Sequence, residues 1–169
     1  MHSKGADMMK WKNAGYTHIL AIDSSWEHIY GKNGFMDRYH KVKDTSLKGM
    51  EFTIVWGDVT KGIRRGTSGL NDTEKQKIKD FFAQHGSVKF DTITCHFAIH
   101  YLLQTKTMFD GLMKNIKALL AKEGTFIATY LDATKVKDKR QFKVKDKVIY
   151  EYERKDKTLI VKTYQWDNA

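Results

Sequence analysis

No proline occurs among the 169 residues, and cysteine occurs once, at Cys95. The first absence leaves the 12 glycines as the main punctuation of loops. The second excludes an internal disulfide framework and any cysteine cluster for zinc. No apolar run approaches the roughly 18 residues that a membrane helix needs, and the N-terminus carries no apolar stretch of the secretory kind. Internal repeats and low-complexity tracts are also lacking. These absences predict a soluble, intracellular chain in a reducing compartment, without membrane association.

What is present is ordinary for a globular core: 41% hydrophobic and 30% charged residues. A chain this long buries well over half of the surface its unfolded state exposes, so one domain over residues 1–169 is expected. The formal net charge of +10 raises the local concentration of polyanions such as RNA. Many of the 30 Lys and Arg residues fall on predicted helix faces or hairpins, where solubility explains them equally well.

The hydrophobic pattern predicts alternating strands and helices. A short helix over residues 7–14 carries Met8, Met9 and Trp11 and closes at Gly15. His18-Ile19-Leu20-Ala21-Ile22-Asp23 reads as a strand buried on both faces with a carboxylate at its end, and Ser24-Ser25 starts another helix. Phe52-Thr53-Ile54-Val55-Trp56 is a second strand, again running into an acid at Gly57-Asp58. Residues 60–73 read as a surface loop, and residues 74–84 as a helix closed by Gly86.

Phe90-Asp91-Thr92-Ile93-Thr94-Cys95 follows as a strand in which Cys95 is expected to be buried, then a helix over residues 108–121. Glu123-Gly124 is the predicted turn into Thr125-Phe126-Ile127-Ala128-Thr129-Tyr130. This rhythm favours a parallel sheet covered on both faces, with ligands at the carboxyl ends of its strands. From Arg140 onward, apolar Phe142, Val144, Val148, Tyr150 and Tyr152 alternate with charges, which predicts antiparallel hairpins with a turn at Lys155-Asp156-Lys157.

A carboxylate after the second strand of a nucleotide-binding sheet is placed to accept hydrogen bonds from both hydroxyls of a ribose, which makes Asp23 a candidate. An Asp after a strand serves equally well as a helix cap, and the same alternative attends Asp58. Longer motifs go further. Lys4-Gly5-Ala6-Asp7-Met8-Met9-Lys10-Trp11 resembles the KGGDLLKW end of motif I in cap guanine-N7 methyltransferases. His96-Phe97-Ala98-Ile99-His100-Tyr101 resembles that family's QFALHY signature, and Thr129-Tyr130-Leu131-Asp132-Ala133 its TTPDA segment. Ala21-Ile22-Asp23, Arg38-Tyr39 and Gly57-Asp58 are similar to the VGID, RY and GD landmarks between them, so the resemblance covers most of residues 4–134.

The resemblance implies methyl transfer from S-adenosylmethionine to N7 of a 5' cap guanine. Gly5, Asp7, Asp23, Asp58, His96 and Phe97 would line the cofactor pocket, with Asp23 on the ribose, Asp58 near the adenine and Phe97 packed on it. His100 and Tyr101 would face the cap guanine, and Lys4 and Arg38 correspond to basic positions used on cap phosphates. Such a reaction needs no catalytic base, because guanine N7 carries a free lone pair and the sulfonium methyl is already activated. Its gain comes from holding nucleophile, methyl and sulfur in line, worth up to about 7–11 kcal/mol. No HExxH or paired-ligand spacing occurs, and a metal-free site is expected.

The implied fold is a Rossmann-like class I methyltransferase sheet with helices on both faces and C-terminal antiparallel hairpins. Only Met1-His2-Ser3 precede Lys4, so the family's first strand and its Gly-x-Gly turn are expected to be missing. The sequence also ends before the segment where the family supplies a glutamate to the guanine edge. Leu131 stands at the family's proline and Ala6 at a glycine. A second reading therefore stands beside the enzyme: a degenerate, non-catalytic methyltransferase-fold module that binds RNA or a capping-enzyme partner. A small-molecule methyltransferase is disfavoured by the His100-Tyr101 box. Expected partners are capped RNA, other capping-enzyme domains or subunits, and a second copy through an exposed sheet edge. The expected location is nucleus or cytoplasm, or a viral factory for a virus-encoded protein.

Overall fold

A computed structural model describes residues 7–96, 98–130, 140–144, 147–155 and 158–163. The chain divides into two compact units, Met1–Tyr130 and Leu131–Ala169.

In the first unit, helix α1 (Met8–Asn13) leads into strand β1 (His18–Asp23). Gly15 makes the reversal between them at φ +81°, a left-handed torsion that side chains resist. Helices α2 (Trp26–Tyr30) and α3 (Phe35–Val42) precede strand β2 (Glu51–Trp56). Helix α4 (Asp72–His85) starts on Asn71, whose side chain accepts the Glu74 N–H at 2.9 Å, and stops at Gly86 with φ +63°. Strand β3 (Phe90–His96), helices α5 (Ile99–Leu102) and α6 (Lys106–Leu119), and strand β4 (Leu120–Thr129) complete the unit.

The strands form two parallel pairs. β1 pairs with β2 in the register His18–Glu51 to Asp23–Trp56, and β3 pairs with β4 from Thr92–Thr125 to His96–Thr129. The second unit is a three-stranded antiparallel sheet of β5 (Arg140–Val144), β6 (Lys147–Lys155) and β7 (Thr158–Thr163), in the order β5-β6-β7. The hairpin reading of this region agrees with that order, and the proposed turn residues Asp156 and Lys157 lie outside the described residues.

Two apolar clusters fill the first unit. Met8, Ile29, Phe35, Leu47 and Ile54 form one, and Val55, Ile63, Ile78 and Leu119 the other. Neighbouring residues of a strand point to opposite faces, so Ile54 and Val55 place β2 between the two clusters. β2 is thus the strand covered on both sides. β1, expected in that role, has residues 19–23 only half-buried, because their side chains border a cavity. Cys95 is half-buried for the same reason.

Two further expectations change. Residues 60–73 are no mere surface loop: Ile63 joins the second cluster, Ser68 is fully buried, and a bridge between Gly57 and Gly69 pinches the loop shut. Gly69 is required there, since a Cβ would stand 2.3 Å from the Lys75 nitrogen. Glu123-Gly124 forms no turn. α6 passes straight into β4 at Leu120, and the extra residues are absorbed by a register shift between Phe90 and Thr92.

Candidate cofactor and substrate site

A cavity of about 870 Å³ opens between the two strand pairs, lined along β1 by residues 18–23 and along β3 by residues 90–96. At its rim stand Asp7, Asp23, Asp58, His96 and Tyr101. Asp23 is the last residue of β1, His96 the last of β3, and Asp58 follows β2 by two residues. Parallel pairing carries the ends to one side of each pair, and strand-terminal residues of the two pairs, 73 positions apart, line the same cavity.

Asp23 does not cap α2. Ser25 is the N-cap, its Oγ accepting the His28 N–H at 3.3 Å, while Asp23 Oδ1 accepts the Ser25 N–H at 2.8 Å. Its Oδ2 lies 3.3 Å from His28 Nδ1. A carboxylate has about four lone-pair sites, so Asp23 retains acceptor capacity for hydroxyls in the cavity. The strand ends are also tied together, because Trp56 Nε1 donates to the Ser24 carbonyl at 2.9 Å.

Asp58 closes a tight turn. Its Oδ1 accepts from the Thr60 N–H at 2.8 Å and from Thr60 Oγ1 at 2.7 Å, and its carbonyl accepts from Ser68 Oγ at 2.8 Å. On the other side, His96 Nδ1 and Thr129 Oγ1 lie 3.2 Å apart across β3 and β4. His100 is largely exposed and packs on Tyr101 with ring centroids 4.1 Å apart, and partial desolvation lowers its pKa. Asp7 lies beside Lys10, at 2.7 Å.

The structure therefore brings together Asp7, Asp23, Asp58, His96 and Tyr101. His100 flanks the cavity without lining it, and Arg38 sits on the exposed side of α3 away from it. Lys4, Gly5 and Phe97 lie outside the described residues, as do Leu131, Asp132 and Ala133. Sequence reasoning missed His28, which lines the cavity beside Asp23, and Glu74 and Asn115, which support it. For Asn115 a signal existed: a polar residue in the stripe Leu112, Ile116, Leu119 of an amphipathic helix.

Parallel strands ending in acids around one cavity define an α/β protein with its ligand site at the strands' carboxyl ends. Residues 2–153 match the mRNA (guanine-N(7))-methyltransferase domain, and the chain belongs to that family. It is similar to a probable mRNA-capping enzyme of Acanthamoeba polyphaga mimivirus, with 26% identity over 163 residues, 92% of this chain and 14% of that protein. It is also similar to mRNA cap guanine-N(7) methyltransferases of Drosophila melanogaster (25% identity, 79% of this chain, 28% of that protein) and Arabidopsis thaliana (28%, 77% and 31%). The chain thus spans less than a third of the length of these relatives.

Proposed function

We propose that the chain supports methyl transfer from S-adenosylmethionine to N7 of a 5' cap guanine on RNA. The observation that carries this reading is the convergence of Asp7, Asp23 and Asp58 with His96 and Tyr101 on one cavity at the strand ends. The donor set suits the cofactor. Asp23 keeps lone pairs for two ribose hydroxyls, and the Asp58 oxygen not engaged by Thr60 suits the adenine amine. Asp7 is the carboxylate for the positive sulfonium, by Coulombic attraction, and the Tyr101 face adds a cation-π contribution.

When bound, S-adenosylmethionine supplies an activated methyl group. The protein's task is orientation: Gly5, Asp7, His96 and Phe97 complete the cofactor's surroundings, and His100 with Tyr101 faces the guanine. Lys4 and Arg38 would provide the cations for the cap phosphates, Arg38 from the exposed face of α3 outside the cavity. In this reading the two parallel pairs belong to one doubly wound, Rossmann-like sheet within a single domain, with a further parallel strand lying in the cavity alongside β1 and β3 and the ligand at its mouth, at the strands' carboxyl ends. Capped RNA is the partner, alongside other capping domains, in the nucleus, the cytoplasm or a viral factory. No helix among the described residues is long and apolar enough to cross a membrane.

Calorimetric titration with S-adenosylhomocysteine tests this. Saturable binding that Asp23→Ala reduces at least about tenfold, as expected from losing charge-assisted hydrogen bonds, supports the reading. Absence of binding with RNA affinity retained replaces it with the non-catalytic module. Methyl transfer to a cap analogue, and not to uncapped small acceptors, then identifies the substrate.

A further inference from the structure

Asn115 is a buried amide whose partners all lie on one distant loop. Its Nδ2 donates to the carbonyls of Val59 at 2.7 Å and Lys61 at 2.6 Å, and its Oδ1 accepts the Ile63 N–H at 3.2 Å. Two carbonyls and one N–H match the amide's two donors and its acceptor, so these partners fix which way the side chain points. One turn earlier on the same helix is Gly111. A Cβ built there would stand 2.1 Å from the Thr60 carbonyl oxygen, so α6 touches the loop backbone. Thr60 is the residue whose N–H and Oγ1 hold Asp58 Oδ1. The contacts therefore form a chain from α6 through Val59–Ile63 to the Asp58 carboxylate at the cavity rim.

We propose that Asn115 and Gly111 are positioning residues that set the Asp58 carboxylate for an exocyclic amine of the ligand's base, and so make the site select adenine over a 6-oxo purine. This rests on the cofactor reading above. An Asn→Leu change keeps the branched shape and removes the amide that two carbonyls and one N–H of the loop use as their partner. A Gly→Ala change removes none of the Asn115 polar groups and instead forces the Thr60 backbone away from α6. The two act on Asp58 by different routes, and the second does so while favouring helix in α6.

Affinities for S-adenosylhomocysteine and for its inosine counterpart, which carries a 6-oxo group, are measured on the protein and on Asn115→Leu and Gly111→Ala, together with hydrogen exchange of residues 58–63. The expected result is an adenine preference of about tenfold or more in the parent, the worth of one well-placed hydrogen bond, that shrinks toward unity in both variants. Exchange at the Ile63 amide accelerates in Asn115→Leu. Equal loss of affinity for both ligands with the preference intact marks a merely structural role and overturns the inference. If the parent binds neither ligand, the cofactor reading fails, and with it the selection of adenine. Unchanged exchange across residues 58–63 in both variants overturns the positioning itself, whatever binds.

Discussion

Removing the Glu74 carboxylate should cost this protein about 3 kcal/mol. Glu74 is 4% exposed and serves three donors from three elements: Tyr30 Oη at 2.8 Å, Lys77 Nζ at 2.8 Å and the Trp56 N–H at 2.9 Å. The Trp56 bond matters most, because it satisfies a backbone donor of β2 that strand pairing leaves open, just before the Gly57-Asp58 turn. Hydrogen bonds to a charged group are worth about 1.5–3 kcal/mol each, but the Lys77 side chain is 37% exposed and rehydrates, so its share falls below about 1 kcal/mol. With the Tyr30 and Trp56 bonds taken at the low end of that range, Glu74→Ala loses roughly 3 kcal/mol, or about 6–12 °C of Tm for a domain of this size. Glu74→Gln keeps one acceptor and should lose about half as much. Thermal unfolding followed by near-ultraviolet circular dichroism, with urea midpoints, measures both. A loss under about 1 kcal/mol for Ala, or equal losses for Ala and Gln, refutes the reasoning.

The same cluster sets a pH window. Burial pushes the Glu74 carboxyl up, but donors from Lys77, Tyr30 and Trp56 outweigh it and hold the pKa below its ordinary value. Its contribution is complete above the unfolded pKa, about 4.3, and is lost as pH falls through the lower folded value. Burial pushes Lys77 down, yet Glu74 and Tyr30 raise it, so its contribution is complete below about 10.4 and is lost as pH rises through the folded value. Glu74→Gln should flatten the acid limb of the stability profile. Leu47→Ala, at a site 1% exposed, should cost about 2–5 kcal/mol by urea unfolding. Burial raises the Cys95 thiol, so its alkylation by iodoacetamide should be slower than that of a free thiol at pH 7 and gain at higher pH.

Local pattern carried far in this chain. The acids Asp23 and Asp58 were legible as candidates because each ends a strand or follows one, and strand ends are marked by apolar runs stopping, whereas the His96–Tyr101 segment stood out through its resemblance to a family signature. Gly15 and Gly86 announced their helix stops because only glycine takes those torsions cheaply. What stayed hidden depends on partners distant in sequence. Glu74 looks like an ordinary first-turn acid of α4, and only the fold brings the Trp56 amide to it. Ile63 and Ser68 sit in a polar stretch; α6 presses on the loop at Ile63 through Asn115 and Gly111, and Ser68 is held inside by its bond to the Asp58 carbonyl and the Gly57–Gly69 bridge. The half-burial of β1 was equally invisible, since an apolar strand beside a cavity reads like one inside a core.

The two parallel pairs share a spacing: His18 faces Glu51, Thr92 faces Thr125, and His96 faces Thr129 across about 33 residues in each case. The entropy of closing a loop depends on its length, so the two closures carry nearly equal cost. Neither pair borrows a ladder hydrogen bond from the other. The pairs are joined instead through side chains, because Val55 of β2 and Leu119 at the end of α6 share one apolar cluster and Asn115 holds the loop after β2, so the two closures are expected to be completed together. A mutation in that shared cluster should therefore weaken both halves at once.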